Sequence, residues 1–134
     1  MGRVKGSRFL IDTHVLLWWL FDDPRLSPRT HKTIRSQHNE ILVSSASGWE
    51  MATKFRLGRL PHAEEAVRNL PALLKRSRME ILPITMEHAL AAGALPGPHR
   101  DPFDRMLIAQ ARLEGLALVT SDAAFAPYPV TCVW

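Results

Sequence analysis

The sequence predicts an α/β fold: a three-layer sandwich with helices on both faces of a mainly parallel sheet of about five strands. Two observations predict it. Short apolar stretches with β-branched residues recur along the 134-residue chain, and capped helical patterns lie between them. A hydrophobic share of 46% and a charged share of 22% supply one core, and the length is that of a single domain.

Taken in order, Phe9-Leu10-Ile11 is the first predicted strand. Asp12 or Thr13 then caps a helix carrying Val15, Leu16, Trp18, Trp19 and Leu20, closed before Pro24. Ser27-Pro28 places a cap ahead of a proline at the first helical position and opens a helix to about Gln37. Ile41-Leu42-Val43 is the second strand. Ser45 or Ser47 starts a helix with Trp49, Met51, Ala52 and Phe55, ending at Gly58.

Ala63 to Arg78 reads as one or two helices, because Pro71 breaks or restarts the pattern. Ile81-Leu82-Pro83-Ile84 is the third strand, weakened by its proline. A short helix follows from Met86 to Ala94. Asp101-Pro102 opens the best helix, whose stripe of Phe103, Met106, Leu107 and Ala111 runs to Gly115. Leu116 to Val119 is the fourth strand, and Val130 to Trp134 a fifth at an edge. Residues 9–134 make the domain, and Met1 to Arg8 a short N-terminal extension.

A net charge of +4 favours polyanionic partners only weakly. A single cysteine, Cys132, allows no internal disulfide and suits a reducing cytosol. Its apolar neighbours predict a buried, inert thiol. The longest apolar run, Val15 to Phe21, is too short for a membrane span of ~20 residues.

In parallel sheets ligands bind beyond the carboxyl ends of the strands, and acids collect there. Asp12 follows the first strand and Asp122 the fourth; Glu50 lies early in the helix after the second. Asp104 sits in the first turn of the helix before the fourth strand. Together the four suit Mg²⁺ or Mn²⁺, since crowded carboxylates repel unless a cation compensates and no Cys/His spacing suggests zinc. Such ions orient a phosphodiester, activate water and stabilise the leaving oxygen.

Each acid also has a duller explanation. Asp12 and Asp122 can be helix caps, Glu50 a solvated i, i+4 partner of Lys54, and Asp104 a helix-dipole residue. Thr13, Thr120 and Ser121 can hold carboxylates in place or merely form turns. Asp101 can share the site, but capping explains it better. Lys54, Arg100 and Arg105 are candidates for contacts to phosphate oxygens or for helix-surface charge balance. His14 reads as a packed imidazole. Trp18, Trp19 and Trp49 can stack on bases, although core and interface packing explain them more simply.

Leu10 to Trp18, Val43 to Lys54, Arg100 to Ala111 and Val119 to Asp122 resemble the four motifs of PIN-domain nucleases, in order, and look closest to the VapC-type toxins. The acidic places fall on Asp12, Glu50, Asp104 and Asp122. The resemblance implies a five-stranded parallel sheet, Mg²⁺-dependent endoribonuclease activity, a homodimer and inhibition by a VapB-type antitoxin. Two other classes stay open: a nucleotide- or phosphate-binding signalling domain and a non-catalytic interaction module. No Gly-rich loop follows the first strand, which disfavours the former.

Overall fold

The computed structural model describes residues 6–98 and 101–134. Its five strands are β1 (Arg8–Ile11), β2 (Glu40–Ser44), β3 (Met79–Leu82), β4 (Ala117–Val119) and β5 (Cys132–Val133). All neighbours pair in parallel, in the order β3-β2-β1-β4-β5. The helices are α1 (Thr13–Leu20), α2 (Pro28–Arg35), α3 (Ser45–Arg56), α4 (Glu64–Arg68), α5 (Leu70–Arg76), α6 (Met86–Ala94) and α7 (Pro102–Glu114).

Alternation along the strands builds two cores. Leu10 pairs in register with Leu42 and Leu118, and all three join Leu107, Ile108, Ala111 and Phe125 on one face. Ile11 pairs with Val43 and Val119, and these meet Val15, Leu16, Ile34, Met51 and Leu74 on the other. A period of two thus sends successive side chains into opposite layers. This is the predicted three-layer sandwich.

Local chemistry sets the ends. The Asp12 carboxylate caps α1 and the Ser27 hydroxyl caps α2, with Pro28 in its first turn. Ser44 caps α3, so Ser45 is its first helical residue. Pro71 begins a new helix instead of bending an old one: α4 stops at Arg68 and α5 starts at Leu70. Gly115 closes α7 at φ 67°, a left-handed conformation that favours glycine.

Four expectations need correction. The third strand lies two residues earlier than predicted and ends before Pro83, which has no N–H for the ladder. Strand β5 is only two residues long, because Pro127 and Pro129 precede it. The N-terminal extension is shorter than eight residues: Arg8 belongs to β1, and Ser7 exchanges hydrogen bonds with Asn39 and Glu40. Residues 1–5 lie outside the described residues. Cys132 is exposed, not buried. Partial desolvation and the negative charge of Asp12 still push its thiol above the usual range, so it remains poorly nucleophilic.

Candidate active site at the carboxyl edge of the sheet

Asp12 is the first residue past β1, and its backbone N–H donates to the Val119 carbonyl at the end of β4. The side chain is buried. Its Oδ1 accepts from the Val15 N–H at 2.8 Å, and its Oδ2 accepts from the Thr120 hydroxyl at 2.5 Å. Burial raises its pKa above the ordinary carboxylate value. The Thr120 and Val15 hydrogen bonds and the charge of His14 work against that, and Asp122 adds to it. Asp12 is therefore both the cap foreseen and a carboxylate under electrostatic load.

Thr120 connects two of the acids. While donating to Asp12 it accepts from the Asp122 N–H at 3.0 Å. The Asp122 side chain is exposed and caps a short 3₁₀ turn through Ala124 N–H. Ser121 is exposed beside it. On the other flank the Thr13 hydroxyl donates to Ser47 Oγ at 2.9 Å in a buried contact between α1 and α3. Ser47 was not foreseen; the only signal was a serine-rich turn after β2.

Glu50 is buried on α3. Its Oε2 pairs with Lys54 Nζ at 2.6 Å, whereas its Oε1 is buried with no hydrogen-bond partner among the described residues. The i, i+4 pair is thus present, but it is not the solvated pair of the duller reading. Lys54 is committed to Glu50 in this state instead of standing free for phosphate.

Asp104 is half-buried in the first turn of α7, whose N-terminus Asp101 caps by accepting from the Phe103 and Asp104 N–H groups at 2.8 and 3.3 Å. Helix α7 runs down to Gly115 at the start of β4, so its first turn returns to the carboxyl edge. Trp49 and Phe103, the residues before Glu50 and Asp104, meet edge to face with ring centroids 4.9 Å apart. That contact ties the two acid-bearing helices together.

The Arg105 guanidinium donates to the Ala92 and Leu95 carbonyls at the end of α6, a structural task. His88 Nδ1 accepts from the Thr85 N–H at 3.0 Å, which leaves Nε2–H to donate to Glu114 at 2.9 Å. These contacts fix α7, and hence Asp104, against α6. Arg100 lies outside the described residues. His14 is exposed, with its ring 6.1 Å from Trp18, and so is not the packed imidazole expected. Trp18 and Trp19 are partly buried; Trp49 is the exposed tryptophan, at 62%.

For a divalent cation the fit is mixed in geometry but good in chemistry. Among the described residues no three His, Cys, Asp or Glu side chains already stand in a metal-holding cluster. An orphaned, buried Glu50 oxygen and a desolvated Asp12 are nevertheless what a hard cation relieves.

Fold and site together define the class: an α/β domain with carboxylates at the carboxyl edge of a parallel sheet. The chain belongs to the PIN-domain family, whose profile matches residues 9–130. It is 34% identical over 130 residues to a protein named Ribonuclease VapC22 from Mycobacterium tuberculosis H37Rv, covering 93% of this chain and 97% of that one. Its fold is similar to that in the crystal structure of VapBC2 from Rickettsia felis bound to a promoter DNA fragment. There the TM-score is 0.71 at 19% identity, over 95% of this chain and 98% of that chain. DNA-bound VapBC from Salmonella typhimurium gives a TM-score of 0.66 at 21% identity, over 96% and 98% of the two chains.

Proposed function

We propose that this protein is a Mg²⁺-dependent endoribonuclease, the toxin of a toxin–antitoxin pair. The observation that carries the reading is the orphaned Glu50 oxygen, on a helix joined by the Trp49–Phe103 contact to the helix that bears Asp104. The near-full-length likeness to a protein named as a ribonuclease supports RNA as substrate.

Asp12, Glu50 and Asp104, with Asp122, are the residues that would hold the cation, Mg²⁺ or alternatively Mn²⁺. It would supply Lewis-acid charge beside a phosphodiester and lower the pKa of water. The chain's own part is to prepare the carboxylates. Thr120 fixes Asp12 Oδ2, the Val15 N–H fixes Oδ1, and Lys54 balances one Glu50 oxygen. Burial keeps these charges poorly screened by water.

The similar VapBC structures are toxin–antitoxin complexes by their names, which supports a VapB-type antitoxin as partner. A homodimer is proposed from the family resemblance. No helix among the described residues is long and apolar enough to cross a membrane, and a cytoplasmic location is part of the same proposal. The test is sequencing of RNA ends after brief induction in cells. Discrete new ends that vanish in Asp12→Asn support the reading; identical ends in both, or none, reject it.

A further inference from the structure

A cleft of about 380 Å³ opens at the opposite end of the sheet from the acids. Its floor includes Trp19 and Ile41, and its walls carry Arg35, Arg76 and Arg78. The three arginines come from three places: the last turn of α2, the last turn of α5, and the residue leading into β3. All three are exposed, and none makes an ion pair among the described residues. Of the two acids lining the cleft, Glu40 is engaged by Arg8 at 3.1 Å, which leaves Glu80 against three cations.

Helix dipoles account for Arg35 and Arg76, since cations suit a helix C-terminus. They do not account for Arg78. It sits at φ 60°, where glycine or asparagine is the ordinary choice after a helix, and still presents a guanidinium to the cleft. Nor do dipoles explain why three elements converge there. Guanidinium groups bind phosphate oxygens through paired N–H donors. Trp19 is not free to stack on a base, because its indole N–H donates to Ser77 at 3.0 Å and its ring packs on His31. The cleft therefore offers phosphate recognition without base reading.

We propose that this cleft holds backbone phosphates of an RNA substrate that runs from the acidic edge past β3 to the far end of the sheet, a distance of roughly 17 Å along a five-residue strand. The inference rests on the RNA-cutting reading and adds that the substrate is long or folded, not a short single strand.

The test compares a 30-nucleotide hairpin RNA with a hexanucleotide, using the full chain and an Arg35→Gln/Arg76→Gln/Arg78→Asn variant. Binding is measured in an Asp12→Asn background so that the RNA stays intact. Asparagine tolerates the left-handed backbone, and Arg78→Gly alone serves if the triple variant folds poorly. Losing three phosphate contacts lowers the salt slope by about 2 to 3, so between 50 and 200 mM salt wild type loses roughly fifteenfold to fortyfold more hairpin affinity than the variant. Hexanucleotide cleavage, with the acids intact, stays unchanged.

Equal hairpin affinity and slope in both proteins overturns the proposal, as does an equal loss on the hexanucleotide. If wild type cuts neither RNA, the ribonuclease reading falls separately. Tripolyphosphate binding then decides: dependence on the arginines keeps a phosphate site but assigns it to a free ligand, and no binding removes the site.

Discussion

The Thr120 hydroxyl donates to Asp12 Oδ2 at 2.5 Å across 108 residues of sequence. Parallel pairing of β1 with β4 brings the two together, since Ile11 lies beside Val119 and each residue is one step beyond its strand. Thr120→Val removes a bond that holds the Asp12 pKa down, so that pKa rises further. The acid limb of the kcat/KM profile moves to higher pH, with about a tenfold to hundredfold loss of activity or metal affinity. An unmoved limb with full activity would show Thr120 to be only a turn residue.

Asp12 itself is a stability liability in the metal-free state. Its folded pKa is raised above the unfolded value, so the native state binds the proton more tightly. Its favourable contribution is fully present below the unfolded value of about 3.9 and is lost as pH rises through the raised folded value. With chelator present, the Tm of wild type should therefore fall relative to Asp12→Asn as pH increases over that window. Saturating Mg²⁺ should restore wild type and leave the variant unchanged. Parallel Tm curves for the two proteins would contradict the assignment.

Lys54 balances a buried carboxylate. Replacing it with methionine leaves Glu50, which is 3% exposed, with both oxygens unpaired among the described residues. The expected cost is about 3 kcal/mol by denaturant unfolding, the low end for breaking a buried pair because Lys54 is partly exposed. The Lys54→Met/Glu50→Gln double variant should recover most of it. A cost under about 0.5 kcal/mol would mark the pair as a surface contact.

Gly6 lies close against the His38–Asn39 backbone. A Cβ there would lie 1.5 Å from the His38 carbonyl oxygen, a backbone atom that cannot swing aside. Gly6→Ala should cost about 1–3 kcal/mol through overpacking, measured by chemical unfolding. A neutral effect would detach this segment from the fold.

Much of this was legible in the sequence because local chemistry wrote it. Asp12, Ser27-Pro28 and Asp101-Pro102 announced three helix starts, and the strands announced themselves as apolar runs. The place of each acid along the chain was readable: Asp12 follows β1, Glu50 lies on α3, Asp104 in the first turn of α7 and Asp122 beyond β4, although among the described residues no three of them stand as a metal-holding cluster. What the sequence hid was long-range or a matter of exposure. Thr120 meeting Asp12 and Thr13 meeting Ser47 depend on strand order, and Arg105 was diverted to α6 by tertiary packing. Cys132 has apolar neighbours but lies on a two-residue edge strand, where it stays exposed. Arg35, Arg76 and Arg78 belong to one cleft only once three elements are folded.

Cutting of RNA by the carboxyl-edge acids with a divalent cation, as proposed above, is open to direct test. The most direct measurement is cleavage of total RNA by the purified chain, with Mg²⁺ or with chelator, beside an Asp12→Asn/Asp104→Asn double variant of confirmed fold. Wild type should give discrete fragments with Mg²⁺ only, and the variant none. Equal cleavage by the double variant, or undiminished cleavage in chelator, would contradict it.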